Sequence, residues 1–367
     1  MAVSDTIQLL EPFIEADEGP AGLSSLFKVP VGGIHNKTKV EFHVMRTSRK
    51  IALPVRDPSV GYRKNSLKSF TIKEIVPTVY KEALTIGADE VAQGRTIGKT
   101  IYENPAIIDQ IRTKVAPTVV ELQQMIKLAI ELYASQVLLS ATVSLSDENG
   151  VVFTENFEPR TTHFPNASVA WTTTGSAVPF TDMADHYDVI STNGKKRVMR
   201  SVMNSKCFDD MKNTDQFKAG ASSSYSGEIY RLDDSRDPIH PRLPADFIFK
   251  GVLKVRGHEV DLYTYDGYYD DPSTGAATKY VPDNKVISEA GPRLDATFGK
   301  LNKFGINQEA ARLVQGGRMA DPIKLADLSY NMWFSEDYEV FIFGVGTRIA
   351  LAPITIDRFG TLTTKGF

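Results

Sequence analysis

The sequence contains a single cysteine, Cys207, among its 367 residues. One thiol cannot form a disulfide within the chain, and it cannot supply the thiolate ligands of a structural zinc site. The chain therefore fits a reducing compartment, or an assembly that needs no covalent cross-links.

An excess of charge and a long apolar run are also missing. The formal net charge is −3, with a pI of about 6.1, so a general nucleic-acid-binding protein with a basic face is not favoured. The longest uncharged stretch, residues 161–181, is crowded with Thr, Ser, Asn and Pro, and could not span a bilayer. The first residues have no basic region followed by an apolar core, so we expect no signal peptide. A soluble protein made in the cytosol is expected.

The overall composition is that of a globular protein. Hydrophobic residues make up 42% and charged residues 24% of the chain, which excludes a disordered or low-complexity protein. The length suggests two or three domains or one discontinuous fold, and no internal repeat of the solenoid kind is visible. The residue patterns indicate a soluble mixed α/β protein.

Charge is unevenly distributed near the start of the chain. Residues 1–30 contain five acidic side chains and one basic side chain, a net of −4, and have the character of an arm rather than a packed element. Residues 37–81 contain eleven basic and three acidic side chains, a net of +8. Two interpretations stay open, namely two solvated surfaces or complementary surfaces that meet between subunits.

The basic segment has the pattern of a long hairpin. Val40, Phe42 and Val44 alternate with polar residues, which predicts a strand, and a turn near residues 47–48 precedes the apolar run 51–53. A second extended piece is predicted over residues 67–75. With few residues to bury, such a hairpin is not expected to be rigid in a lone monomer, which suggests that something else holds it.

The strongest helix signal begins at Thr118. Thr118 and Glu121 form a capping box directly after Pro117, and apolar residues recur at helical spacing from Val119 to Tyr133. About twenty residues predict a rod of roughly 30 Å whose wide apolar face packs on a sheet.

Shorter elements are predicted on either side of this helix and beyond it. Asn149-Gly150, between apolar runs 142–145 and 151–154, is a strong hairpin signal. The remaining patterns predict helices over 182–192 and 206–211, a strand at 198–199, an antiparallel pair over 247–265 turning at 257–258, a turn between strands over 280–287, a buried strand beginning at 339–343 and a final strand over 354–362.

Several sequence patterns resemble catalytic or binding sites without matching them. Residues 94–100 have three residues between their glycines, whereas a phosphate loop needs four, and the preceding residues 88–93 have a helical pattern where a strand is required. Residues 220–224 lack the closing glycine of a nucleophile elbow. No two of the six histidines form a metal-binding helix motif; they are His35, His43, His163, His186, His240 and His258.

The other reactive or aromatic residues have ordinary structural interpretations. The spacing of Asp266, Asp270 and Asp271 does not match a calcium loop and favours a solvated turn. Cys207 is expected on a helix face as a small apolar residue. Trp171 and Trp333 are expected in the core or in an interface. We therefore predict no catalytic, cofactor-binding or metal-binding residue, and no cofactor.

The order of these pieces resembles the major capsid protein E family of tailed bacteriophages, which has the HK97-type fold. Each match is short, but together they cover nearly the whole chain. One departure is Ala350, where the family usually has proline. The matching segments are RKIALPV at 49–55, YKEAL at 80–84, the helix–turn–strand–helix pattern of 180–211, YVPDNKV at 280–286 and the closing stretch 333–353.

This resemblance implies an α+β fold divided into five parts. They are an N-terminal arm (1–35), an extended loop (36–92), a peripheral domain with a long spine helix and a hairpin (93–160), an axial domain (161–318) and C-terminal strands that return to the peripheral domain (319–367). The extended loop would lie on a neighbouring subunit, and hinges would flank the spine helix during maturation of the shell.

The function implied is that of a non-enzymatic shell protein. Copies would assemble into hexamers and pentamers of an icosahedral head around double-stranded DNA, with portal and scaffolding proteins, and a decoration protein in some relatives, as further partners. The chain would be made in the host cytoplasm and end in the virion. Lys68 is one candidate for the inter-subunit cross-link of some relatives, but nothing singles it out. A cellular encapsulin-like shell, and a soluble enzyme with an unmarked active site, remain as alternatives.

Overall fold

A computed structural model of the chain describes ten segments, and every structural statement below concerns these residues. They are residues 22–35, 39–46, 70–87, 107–146, 152–222, 230–234, 236–271, 274–299, 329–335 and 340–365. The turn at 47–48, the run 51–53, the phosphate-loop-like segment 94–100 and the tip of the hairpin at 147–151 lie outside them.

The described residues combine four α-helices with many short strands. The helices are α1 (Ile107–Ser140), α2 (Pro179–Gly194), α3 (Ser205–Asn213) and α4 (Asp215–Ser222). Short 3₁₀ helices span Leu23–Leu26, Thr161–His163 and Ile356–Arg358. The strands of the first half are β1 (Ile34–His35), β2 (Val40–Met45), β3 (Phe70–Ile75), β4 (Thr78–Gly87), β5 (Thr142–Ser146), β6 (Val152–Asn156), β7 (Arg200–Met203) and β8 (Tyr230–Asp233). Those of the second half are β9 (Ile248–Val255), β10 (His258–Thr264), β11 (Tyr268–Asp270), β12 (Ala277–Lys279), β13 (Lys285–Glu289), β14 (Leu294–Gly299), β15 (Ser329–Ser335), β16 (Val340–Pro353) and β17 (Phe359–Thr363).

One sheet is organised around the long strand β16. Its first part pairs antiparallel with β15 on one side and β4 on the other, and its last six residues pair with β14. Strand β1 then adds to β14 in parallel. The strand predicted to begin at 339–343 is confirmed as β16, which starts at Val340, is longer than the pattern indicated, and is mostly buried from residue 344 onward.

Helix α1 packs on this sheet and is longer than predicted. Its 34 residues span about 51 Å, and Ile126, Tyr133 and Val137 are among its buried side chains. The predicted start at Thr118 is wrong, because the helix begins at Ile107 and continues through Pro117. A proline removes one backbone hydrogen bond and a capping box is worth only about 1 kcal/mol, so neither dictates a boundary within a long helix.

A second sheet has the strand order β17-β13-β7-β10-β9-β8 and is covered by α2 and α3. The predicted antiparallel pair over 247–265 is confirmed as β9 and β10, with Val260 and Leu262 fully buried. Its turn lies at Arg256-Gly257, one residue earlier than predicted, where both residues have positive φ. The predicted strand at 198–199 is wrong: β7 begins at Arg200, because backbone pairing and not the apolar pair at 198–199 sets its register.

Two further elements near the ends of the chain differ from the prediction. Residues 23–35 are packed and do not form an arm. Leu23 and Phe27 are buried in the core, and the backbone of Lys28 forms an isolated parallel β-bridge with that of Asp295. The predicted final strand over 354–362 is a 3₁₀ turn, Ile356–Arg358, followed by β17. In both places the chain turns around buried side chains. The local sequence pattern does not indicate such a turn, because it depends on contacts with distant residues.

Candidate assembly surfaces

The described part of the basic segment is a two-stranded ribbon with two different faces. Strands β2 and β3 pair antiparallel, and Val40, Phe42 and Val44 point into the core, as the alternation predicted. The opposite face is exposed. There, His43 lies directly across from Ile72 and stacks on Phe70 with ring centroids 5.1 Å apart. The ribbon therefore presents an apolar strip, formed by His43, Phe70 and Ile72, on its exposed face.

Two basic side chains fix the ribbon to the rest of the molecule. Lys73 forms an ion pair with Glu158, and the Arg46 guanidinium donates a hydrogen bond of 3.1 Å to the Glu158 carbonyl oxygen. The Lys73 ammonium lowers the pKa of the Glu158 carboxyl. Because Glu158 is largely exposed and Lys73 is partly exposed, we expect this contact to orient the ribbon rather than to add much stability.

A buried carboxylate holds the first described residues against α1. Glu131, fully buried in the second half of α1, accepts hydrogen bonds from the backbone N–H groups of Leu23 and Ser24 and from the Tyr265 hydroxyl, the last at 2.8 Å. A side chain at Gly22 would overlap with the same carboxylate. Glu131 therefore joins the first described residues, the long helix and the residue that follows β10 at one point.

Sequence analysis did not identify Glu131 as important. The one available signal was a charged residue between Ile130 and Leu132, within the apolar part of α1. Charged side chains are rarely fully buried without partners. Its partners lie more than one hundred positions away in the sequence, so no local motif indicates them.

The histidines are distributed over several parts of the fold. Among the described residues no group of three or more His, Cys, Asp or Glu side chains could hold a metal ion. His240 Nδ1 lies 3.1 Å from the buried Asp261 carboxylate, and His258 Nε2 lies 2.9 Å from Asp188. The first contact joins a loop to β10 of the second sheet, and the second joins α2 to the same strand.

His163 and His186 form a buried pair behind β17. His163 Nδ1 donates to the Phe359 carbonyl oxygen at 2.8 Å, Asn193 Nδ2 contacts His163 Nε2 at 2.9 Å, and His186 Nε2 donates to the His163 carbonyl oxygen at 3.2 Å. Burial lowers the pKa of His186 to about 4, and it also lowers the pKa of His163. The charged groups that act on His163 are Asp357, Arg160 and Arg46.

We expect this pair to make the subunit less stable in acid. Between pH 6.5 and 4 the unfolded state binds a proton at His186 that the folded state excludes, so stability falls as the pH falls. The shift corresponds to about 3 kcal/mol at pH 4. Urea unfolding of His186→Gln at pH 7 and pH 4.5 should show a weaker pH dependence than the parent chain. The control His43→Gln, at an exposed ribbon position, should retain the pH dependence of the parent chain. If all three proteins lose the same stability between pH 7 and pH 4.5, His186 is not the group responsible.

The remaining candidate residues serve the core or cap helices. Cys207 lies on α3 as predicted and is fully buried, with its thiol pKa raised to about 12 by burial, which makes a thiolate nucleophile unfavourable. Trp171 is fully buried and donates to Asp182. Asp266 is not simply solvated, because it accepts hydrogen bonds from the Ser205 backbone and hydroxyl at the start of α3.

Two predicted segments are only partly described. Residues 220–222 belong to α4, and residues 223–224 lie outside the described chain, as does the side chain of Trp333. Within the described segments, no helix is long and apolar enough to cross a membrane.

Comparison with protein-family models gives a match over most of the chain. Residues 23–305 match the model of the phage major capsid protein E family. The chain belongs to this family. It is a phage major capsid protein, and the predicted resemblance is confirmed. A search of curated proteins finds no match.

Solved structures place the fold among HK97-type capsid proteins. A candidate capsid protein of a prophage of E. coli CFT073 is similar over 98% of this chain and 99% of its own, with 15% identity and a TM-score of 0.62. The capsid protein of cyanophage A-1(L) is similar over 95% of both chains, with 11% identity and a TM-score of 0.51. At these identities the likeness concerns the fold, and the capsid protein has the predicted α+β architecture.

Proposed function

We propose that copies of this capsid protein form the hexamers and pentamers of an icosahedral head that encloses double-stranded DNA. The observation that carries this proposal is the ribbon of β2 and β3 together with family membership. The ribbon presents an apolar strip that no described residue of its own subunit covers, and its strands lead to residues 47–69. In the proposed shell this extended loop lies on a neighbouring subunit.

Exposed apolar side chains continue beyond the strip. Four side chains each leave roughly half of their surface in solvent: Phe70 and Ile72 on β3, Val76 in the connection between the strands, and Val79 at the start of β4. Contiguous exposed apolar surface often marks a protein interface. Many moderate contacts of this kind, repeated by closed symmetry, give a stable container while each single contact stays weak enough to be corrected.

The proposal includes partners and a life cycle that follow from family membership. Portal and scaffolding proteins, and non-specific contact with packaged DNA, belong to it, as do assembly in the host cytoplasm and a final location in the virion. The compact precursor shell would expand with movement at the ends of α1. In this proposal the protein has no enzymatic activity. Membership of the phage capsid family favours the phage shell over the encapsulin-like alternative.

Electron microscopy of the purified full-length protein tests the proposal directly. Negative-stain images and size-exclusion profiles should show shells, capsomers or curved sheets, alone or with the scaffolding protein of the same phage. A monodisperse monomer under all these conditions would contradict the shell function.

Removal of residues 1–21 should impair assembly more than it lowers subunit stability. The deletion ends before Gly22 and Leu23, because these residues pack against Glu131. We expect a loss of particles in negative stain of at least tenfold, with a change in the urea midpoint within the error of measurement. Equal loss of particles and of folding would show that the segment is part of the subunit core.

Replacing Ile72 by aspartate should also affect assembly selectively. Ile72 is about half exposed on the outer face of the ribbon, so a charge there costs little in the isolated subunit but would be buried in the proposed interface. Sedimentation should show at least tenfold fewer particles. The matched control is Ile248→Asp on β9, at a similarly exposed position; equal effects of both variants would assign no special role to the ribbon.

A further inference from the structure

The turn between α2 and β7 is held against two other parts of the chain. Helix α2 ends at Gly194, where any side chain would overlap with the Asp357 carbonyl oxygen and the backbone of Arg358. Lys195 then takes a left-handed conformation, with φ of 52°, and turns the chain toward β7. The turn therefore lies directly beside the 3₁₀ helix Ile356–Arg358.

A second contact brings the β13–β14 connection to the same place. The Lys196 ammonium occupies the space beside Gly291, and the Met199 N–H donates to the Glu289 carbonyl oxygen at 2.8 Å. The Ala290 N–H donates in turn to the Arg358 carbonyl oxygen at 2.7 Å. Three segments that are distant in sequence thus meet, and we call their four basic side chains the cationic surface: Lys195, Lys196, Arg197 and Arg358.

The cationic surface is only partly offset by its neighbours, through the electrostatic interaction of Lys196 with Glu289. The nearby carboxylates are already paired with other residues: Glu289 with Arg200 at 3.2 Å, Asp357 with Arg160 at 2.9 Å and Asp295 with Arg293 at 2.9 Å. Among the described residues, no carboxylate forms an ion pair with any of its four members. Arg358 also has a buried Nε without a hydrogen-bond partner in the described chain, and Lys196 and Arg197 are exposed. A concentrated positive charge therefore faces outward on a chain whose net charge is −3.

We infer that the cationic surface receives the acidic segment 1–21 of a copy of this chain. That segment has five carboxylates, at Asp5, Glu11, Glu15, Asp17 and Glu18, and no lysine or arginine. The inference rests on the proposed shell function and assigns the arm a docking site. It is independent of the basic ribbon, which lies in a different part of the chain.

The length and the charge of the segment both fit this occupant. Its 21 residues can extend over about 70 Å from the point where Glu131 holds residues 22–24, so its own subunit and a neighbour are both in reach. Tethering also gives it a local concentration on the order of millimolar. Nucleic acid is the less suitable ligand, because surfaces that bind it extend over a basic face of a domain, whereas this cluster has four cations on an acidic chain.

Zero-length cross-linking of the full-length protein tests the inference. A carbodiimide joins a carboxylate to a lysine amine in direct contact, and mass spectrometry identifies the pair. We expect the main products of the acidic segment to include Lys195 or Lys196, with at least fivefold lower yield in 0.5 M NaCl, since salt screens exposed charges. Mixing ¹⁴N- and ¹⁵N-labelled protein shows whether the segment comes from the same or a neighbouring chain, and either origin supports docking.

A charge-reversal pair supplies the control. Lys196→Glu combined with Arg197→Glu should reduce cross-linking to Lys195 at least fivefold, whereas Lys218→Glu, an exposed cation on α4, should leave the yield unchanged. Cross-links of the segment only to lysines of residues 37–81, or none, would overturn the inference. So would a tenfold loss of affinity for a 20-base-pair DNA duplex in the double variant without any effect on cross-linking. Normal particles in negative stain without these cross-links would reject the docking site while leaving the shell function intact.

Discussion

Replacing Glu131 by alanine is expected to lower the free energy of unfolding of the subunit by about 4 kcal/mol, since each buried donor left without a partner costs about 1–3 kcal/mol. The change removes the common acceptor of three donors: the backbone N–H groups of Leu23 and Ser24 and the Tyr265 hydroxyl. No local rearrangement of the helix can replace it, because the site is fully buried. Urea denaturation followed by circular dichroism measures the loss.

Two companion variants separate the hydrogen bonds from the general effect of substitution. Glu131→Gln keeps one acceptor oxygen but turns an NH₂ group toward donors, so we expect a loss of about 2 kcal/mol. Glu121→Ala, at an exposed position of the same helix, should stay within about 0.5 kcal/mol of the parent. A loss below 1 kcal/mol for Glu131→Ala would mean that water or another side chain satisfies the three donors.

The local elements were predictable where one short-range pattern dominates. The alternation of Val40, Phe42 and Val44 gave the correct inner face of β2, because a strand with one buried face has period two. The hairpin around Asn149-Gly150 was predicted from its turn residues, and the pairing of β5 with β6 confirms it. Element boundaries were predicted less accurately. Pro117 and the capping box suggested that the helix starts at Thr118, whereas it begins at Ile107.

The contacts that organise the assembly surfaces could not be predicted, because they join residues far apart in sequence. Glu131 and Tyr265 are 134 positions apart, and His163 and Phe359 are 196 apart. The cationic surface likewise needs residues near 195 and 358 to be neighbours. Composition and spacing alone indicated only a mixed α/β protein without an active site; the order of individually weak motifs carried the function, and the family match over 23–305 confirms it.

Replacement of Trp171 should cause a large packing defect in the core between α2 and the second sheet. Its side chain is fully buried beside α2, in a cluster with Phe180, Met183 and Tyr187. Truncation to alanine should lower the free energy of unfolding by about 4 kcal/mol, through lost burial and the cavity that remains. It also leaves the Asp182 carboxylate without its partner at 3.0 Å.

Comparison with Trp171→Phe divides this loss between packing and hydrogen bonding. Phenylalanine keeps most of the buried ring but cannot donate to Asp182, which still accepts from the Ser168 backbone at 3.1 Å and hydroxyl at 2.8 Å. We therefore expect about 1–2 kcal/mol for this variant, measured by urea denaturation with circular dichroism. If alanine and phenylalanine cost the same, the hydrogen bond and not the filled volume holds Trp171 in place. Since α2 leads directly into the cationic surface, a cavity here should also loosen Lys195 and Lys196, and lower their cross-linking to residues 1–21.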